Sequence, residues 1–210
     1  MMGKGTLKHS FASCSSSSLT LSAQSVGICL GSTLAVIKAN PTIGLFWNVR
    51  GLNNPTKVSK VKNLLKQQLP NIIGLSETKK SDFTVQSLES FTTYDNFAWN
   101  WLPAIGTAGG ILVGVNTDLF EVISWDIKTY YVLVSVKNKL DHFCWNFVAV
   151  YGSSYKEHKQ QFIDELHNLF SHTALPTIVG GDFNLVRFTS DKNIGNIHKG
   201  RAAKFNDWIN

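Results

Sequence analysis

Apolar positions along the chain fall into short runs separated by polar turns, with two stretches at helical spacing between them. Ile43-Gly44-Leu45-Phe46-Trp47 is a continuous run of strand length, the pattern of a strand buried on both faces. Asn54-Pro55 then reads as a helix N-cap with proline at the first helical position. Val58, Val61, Leu64, Leu65 and Leu69 recur at helical spacing while Lys57, Lys60, Lys62 and Lys66 fill the other faces. This predicts an amphipathic helix with a basic outer surface, ended by Pro70. Ile72-Ile73-Gly74-Leu75 is a second buried strand, with Glu77 just beyond it. Strand, helix and strand fit within about 35 residues, the size of a βαβ crossover.

Several strands with short turns follow. Phe97 to Trp101, Gly110 to Val115 and Phe120 to Trp125 are candidates, as are Thr129 to Val136 and Phe143 to Tyr151, which are rich in Val, Tyr, Phe and Trp. The last two meet across Lys137 to Asp141, a polar hairpin-like loop. A helix is predicted from about Lys156 to Phe170, with Phe162, Ile163, Leu166, Leu169 and Phe170 on its apolar face. Pro176-Thr177-Ile178-Val179 is a buried strand running into Gly180-Gly181-Asp182-Phe183-Asn184, and residues 201–209 begin another helix. The order suggests an α/β domain of two β-sheets covered by helices.

Residues 1–40 have a different texture. They hold nine Ser and no Asp or Glu, and their only formal charges are Lys4, Lys8 and Lys38, half of the chain's net +6. No strand or helix period is evident, so the expectation is a disordered Ser-rich tail ahead of a domain over 41–210. An organelle transit peptide is Ser-rich and acid-poor too, but this segment has no Arg, and a nuclear or cytoplasmic location is the expectation instead. The apolar stretch Val26 to Ile37 is far below the roughly 18 residues of a membrane span. Three cysteines, Cys14, Cys29 and Cys144, are too few and too scattered for a disulfide framework or a zinc cluster.

Polar groups cap four of the apolar strands: Asn48, Glu77, Tyr151, and Asp182 with Asn184. Strand ends are where a rigid scaffold meets solvent, so such groups can converge on one cleft. Two carboxylates plus amides make a hard, oxygen-rich set that suits Mg²⁺. A metal so held polarises a phosphoryl oxygen, a second carboxylate orients or deprotonates a water, and Asn and Tyr donors stabilise charge on a phosphate. Each residue alone is as well explained by a turn, a cap or a strand aromatic. Their joint order is what points to phosphate-ester hydrolysis.

That order is Trp47-Asn48-Val49-Arg50-Gly51-Leu52-Asn53, Glu77-Thr78-Lys79, Gly109-Gly110-Ile111, Val150-Tyr151-Gly152 and Gly181-Asp182-Phe183-Asn184. It resembles the endonuclease/exonuclease/phosphatase superfamily over about residues 43–210. The wording is closest to the apurinic-type endonuclease domain of plant LINE retrotransposons, to which Val186-Arg187-Phe188 and Phe205-Asn206-Asp207-Trp208 are also similar. The resemblance implies a four-layer α/β sandwich and Mg²⁺-dependent nicking of DNA, with Mn²⁺ as the other candidate ion. It implies Glu77 as principal metal ligand with Asn48 nearby, Asp182 as the group that orients or activates water, and Asn184 and Tyr151 as donors to the scissile phosphate. Where some members carry an acidic residue two places after the first Asn, this chain has Arg50.

The family pattern continues with a late Asp and a terminal Ser-Asp-His strand, which have no match before Asn210. The expectation is therefore a copy lacking its C-terminal strands, with weak or absent activity. His9, His142, His158, His167, His172 and His198 all read as structural or solvated.

Between Arg50 and Lys80 there are seven basic residues and one acidic residue, and Lys199, Arg201 and Lys204 form a second basic cluster. Arg50, Lys79, Lys80, Lys199 and Arg201 are the candidate nucleic-acid contacts, of the sequence-tolerant, salt-sensitive kind. Two alternatives stay open: a catalytically dead remnant that binds nucleic acid, and a phosphomonoesterase or phosphoinositide phosphatase of the same superfamily. Neither a membrane partner nor an oligomeric state is indicated.

Overall fold

The computed structural model describes residues 26–30, 34–39, 42–93 and 96–185. Its strands are β1 (Val26–Leu30), β2 (Leu34–Ala39), β3 (Thr42–Asn48), β4 (Ile72–Ser76), β5 (Phe97–Ile105), β6 (Ala108–Asn116), β7 (Phe120–Ile127), β8 (Tyr131–Asn138), β9 (Cys144–Tyr151) and β10 (Thr177–Asp182). Its helices are α1 (Pro55–Gln68), α2 (Val85–Glu89) and α3 (Lys159–His172). One sheet has the order β1-β10-β9-β8-β7 and the other β2-β3-β4-β6-β5.

Helix α1 starts as its sequence demands. The Asn54 side chain accepts a hydrogen bond from Thr56 N at 2.8 Å, and Pro55 occupies the first turn, where its missing N–H costs nothing. The helix closes at Leu69, whose left-handed backbone (φ 47°) lets its N–H reach Leu65 O at 2.9 Å. Val61 and Leu65 are buried against the outer face of the second sheet, beside Leu45, Ile73 and Leu75. As the crossover between β3 and β4, α1 makes those two strands parallel.

Side chains of β8 separate by alternation. Val132, Val134 and Val136 join the core between the sheets, with Phe46, Ile111, Val113, Phe147 and Ile178. Tyr131 and Leu133 face the other way, into the cluster that α3 closes with Phe162, Leu166 and Leu169. The layers are thus α3, one sheet, the other sheet, and α1 with α2. This is the four-layer α/β sandwich expected. Each fully buried Leu, Ile, Val or Phe contributes roughly 1.5–3 kcal/mol relative to an exposed one, and such residues make up most of all three clusters.

Two departures concern segments where periodicity was silent. Residues 26–30 and 34–39 fall inside the tail expected to be unstructured, yet they form β1, parallel to β10, and β2, antiparallel to β3. Both strands lie ahead of residue 41, the expected start of the domain. Both segments are short apolar runs whose partners supply the ladder, β10 from the far end of the chain. Helix α2 is a single turn, capped by the Thr84 side chain on Ser87 N at 3.2 Å, and is too short to show a period. The Ser run at 15–18 and the helix expected over 201–209 lie outside the described residues. Among the described residues no helix is long and apolar enough to cross a membrane.

Candidate active site

Two parallel strand pairs set the site. Asn48 at the end of β3 lies in register with Ser76 at the end of β4, and Asp182 at the end of β10 with Tyr151 at the end of β9. Strand β10 packs across the sandwich on β3 and β4. Parallel pairing brings carboxyl ends together, so four strand tips open on one side of the molecule.

The close approach of the sheets there depends on Gly180. A Cβ at that position would lie 2.3 Å from the nearest ring atom of Phe46. Phe46 itself stacks on Phe147, with centroids 4.3 Å apart and planes 4° from parallel. Gly181 has φ 133°, and a Cβ there would meet Val150 O at 2.1 Å. The diglycine ahead of Asp182 is therefore strand, not the turn it resembles in sequence.

Asp182 is held from two sides. Asn48 Nδ2 donates to its Oδ2 at 2.7 Å, and Asn184 N donates to its Oδ1 at 3.0 Å. Asn48 Oδ1 in turn accepts from Arg50 N at 3.0 Å, so this buried amide is engaged at both ends. Asn184 Nδ2 donates to Gly152 O at 2.7 Å. Burial raises the Tyr151 phenol above its ordinary pKa, and the Glu77 and Asp182 carboxylates raise it further, while its hydrogen bond with Asn184 pulls the other way. Tyr151 therefore stays a neutral O–H donor, and both carboxylates act on the same phenol.

Glu77 sits on a backbone clamped from both neighbours. Gly51 N and Leu52 N donate to Glu77 O (2.7 Å) and Thr78 O (2.8 Å), while Thr78 N and Lys79 N donate to Gly110 O (3.1 Å) and Gly109 O (2.9 Å). Glu77, Lys79, Arg50 and Asn184 all take left-handed φ values between 48° and 56°. Such conformations cost on the order of 1–3 kcal/mol each for non-glycine residues and collect where surroundings over-determine them. Beneath the loop, Ser76 Oγ and Thr78 Oγ1 are buried without a hydrogen-bond partner. The Glu77 carboxylate pairs with Lys79 Nζ at 3.1 Å.

The donor set suits a divalent cation. Two carboxylates and an amide oxygen are hard ligands, and Mg²⁺ binds through one or two carboxylates while keeping several waters. The Glu77 carboxylate already carries a cationic partner, the Lys79 ammonium. Among the described residues no group of three or more His, Cys, Asp and Glu forms a denser metal cluster. A metal here would rest on Glu77, with Asp182 and Asn48 close by.

All five expected site residues, Asn48, Glu77, Tyr151, Asp182 and Asn184, are thus at one end of the sandwich. The expected nucleic-acid contacts are placed less uniformly. Arg50 is exposed and Lys80 half-buried, whereas Lys79 turns inward to Glu77. Lys199 and Arg201 lie outside the described residues. His158, His167 and His172 are exposed on or beside α3, as expected. Lys159 was not foreseen: its Nζ donates to Asn184 O at 2.5 Å and ties the first turn of α3 to the site. Only its basic character marks it in sequence, because the contact spans 25 residues.

A family model described as "Endonuclease/Exonuclease/phosphatase family" matches residues 45–209. Solved structures share the fold at low identity. An AP endonuclease from Leishmania major is 13% identical, with TM-score 0.58, over 78% of this chain and 64% of that one. A humanised TDP2 from D. rerio is 17% identical, with TM-score 0.52, over 75% and 68%. A mannosyl-6-phosphatase from Bacteroides thetaiotaomicron is 13% identical, with TM-score 0.51, over 73% and 66%. The match spans about half to two thirds of the first several structures' own lengths. A search of curated proteins gives no match.

Proposed function

The chain belongs to the endonuclease/exonuclease/phosphatase family, and from that premise we propose that it is a Mg²⁺-dependent endonuclease domain of the plant LINE retrotransposon type, acting on DNA phosphodiester bonds. The supporting observation is the hydrogen-bonded set Asn48–Asp182–Asn184 at the strand tips, with Tyr151 in register beside Asp182 and Glu77 just beyond the strand paired with that of Asn48. The motif wording around Trp47 to Asn53 and Gly181 to Asn184 favours the retrotransposon branch. The basic residues on and beside α1 suit a polyanionic substrate over a small one. A nuclear or cytoplasmic setting goes with this reading.

In it, the divalent ion, Mg²⁺ or Mn²⁺, supplies charge for the scissile phosphate and its leaving oxygen. Glu77 would hold that ion. Asp182, fixed by Asn48 and Asn184 N, would orient and deprotonate the attacking water. Tyr151, kept protonated by burial and its two carboxylate neighbours, donates a hydrogen bond to a non-bridging oxygen.

Supercoiled plasmid tests this. Nicked circles should form with Mg²⁺ and not with EDTA. Asp182→Ala should slow nicking by roughly 10²- to 10⁴-fold, the typical worth of a positioned acid–base group. Salt-sensitive DNA binding without nicks would replace the proposal with a binding remnant. Phosphate released from a soluble monoester, again without nicks, would replace it with a phosphatase.

A further inference from the structure

Lys79 has a defined place in this site. Its backbone is pinned at both ends: N donates to Gly109 O at 2.9 Å, and O accepts from Asn53 Nδ2 at 3.1 Å. Its φ of 55° turns the side chain back towards Glu77, two residues earlier and also left-handed. Its stem lies across Gly51, where an added Cβ would come within 3.3 Å of Lys79 Cδ. Glycine at 51 thus leaves a track for the lysine stem, and the ammonium at its end meets Glu77 Oε1 at 3.1 Å. The Lys79 side chain is 34% exposed and the Glu77 side chain 18%.

We infer that Lys79 is a placeholder counter-ion, competing with the divalent cation for Glu77 and freeing its own charge for the substrate phosphate once displaced. The inference rests on the proposed metal role of Glu77. Its physical basis is charge accounting. With Lys79 on Glu77 the pair is neutral and offers little to a phosphate. Counted over Glu77, Lys79 and the ion alone, a divalent ion on Glu77 raises the charge from 0 to about +2 and releases the lysine. Metal and anionic substrate then bind with positive coupling, without any change of fold. Lys79 is on this account a positioning residue, acting through Glu77 and the phosphate.

Calorimetric titration of the full chain with Mn²⁺ tests it, comparing wild type with Lys79→Met and Lys79→Arg. Met keeps the stem over Gly51 and removes the charge, while Arg keeps the charge. Partly exposed ion pairs shift equilibria by about 1.5- to 5-fold, so Lys79→Met should bind Mn²⁺ roughly two- to fivefold tighter and Lys79→Arg like wild type. Binding of a phosphodiester oligonucleotide in Ca²⁺ should weaken in Lys79→Met, and the variant's loss should shrink when the metal is left out. Equal or weaker Mn²⁺ binding by a Lys79→Met protein with a wild-type melting curve would overturn the inference while leaving the metal site standing. Absence of Mn²⁺ binding to wild type would remove both.

Discussion

Gly180→Ala probes the junction between core and site. The new Cβ would fall 2.3, 2.4 and 2.6 Å from three ring atoms of Phe46. Comfortable carbon contacts are about 3.5–4.0 Å, so the misfit exceeds an ångström. Phe46 has no slack: it is 2% exposed and stacked at 4.3 Å on Phe147, itself fully buried. Overpacking of this kind costs about 1–3 kcal/mol, and the lack of any escape for the ring places this case near the top of that range. Replacing a strand glycine returns about 0.5–1 kcal/mol through the unfolded chain. The net expectation is a loss of about 2 kcal/mol, or roughly 4–8 °C in Tm for a domain this size. Urea unfolding with an unchanged m-value would read it. Phe46→Leu, costly alone, should relieve the clash, so that the double variant is more stable than the sum of the single losses by at least about 1 kcal/mol. A Gly180→Ala protein as stable as wild type, or strictly additive losses, would refute the argument that Gly180 exists to admit the Phe46 ring.

Three further outcomes are expected. Leu166→Ala empties a fully enclosed place between α3 and its sheet and should cost about 2–5 kcal/mol by urea unfolding. Asn48→Ala removes the 2.7 Å hydrogen bond to the Asp182 carboxylate and the acceptor of Arg50 N, and should cost about 1.5–3 kcal/mol in the same assay. Burial lifts the Tyr131 phenol well above its ordinary value near 10, helped by its hydrogen bond to Asp126 and the charges of Asp126 and Glu165. The unfolded chain therefore releases that proton first, and stability is present below pH about 10 and lost as pH rises further. Tyr130 and Tyr151 shift in the same direction. Tyr131→Phe should flatten the alkaline fall in stability, read by urea unfolding between about pH 9 and pH 11, one unit either side of the ordinary tyrosine pKa.

What the sequence discloses about this fold follows the range of the forces involved. Helices α1 and α3 are written locally, in Asn54-Pro55, in the spacing of Val61 and Leu65, and in Phe162, Leu166 and Leu169. Strands β3, β4, β9 and β10 announce themselves as apolar runs, and the polar residue ending each is visible by inspection. Strands β1 and β2 are apolar runs as well, but nothing local marks them as strands, because their order comes from partners elsewhere: Val26 pairs with Thr177 and Leu34 with Trp47. The same holds inside the site. That Asn48, Glu77, Tyr151, Asp182 and Asn184 could gather was an argument from order along the chain. That Asn48 would bond Asp182, 134 residues away, and that Lys79 would turn onto Glu77 instead of outward, required three dimensions. Gly180-Gly181 reads as a turn until Phe46 is seen lying against it.

The central claim is that one divalent cation is held where these strand tips meet. Paramagnetic broadening by substoichiometric Mn²⁺ locates such an ion directly. The side-chain amide resonances of Asn48 and Asn184 and the ring resonances of Tyr151 should broaden first, and Glu77→Gln should abolish the effect. Broadening centred on another acidic surface, such as Asp126 or Asp141, with Asn48 and Tyr151 sharp, would contradict it.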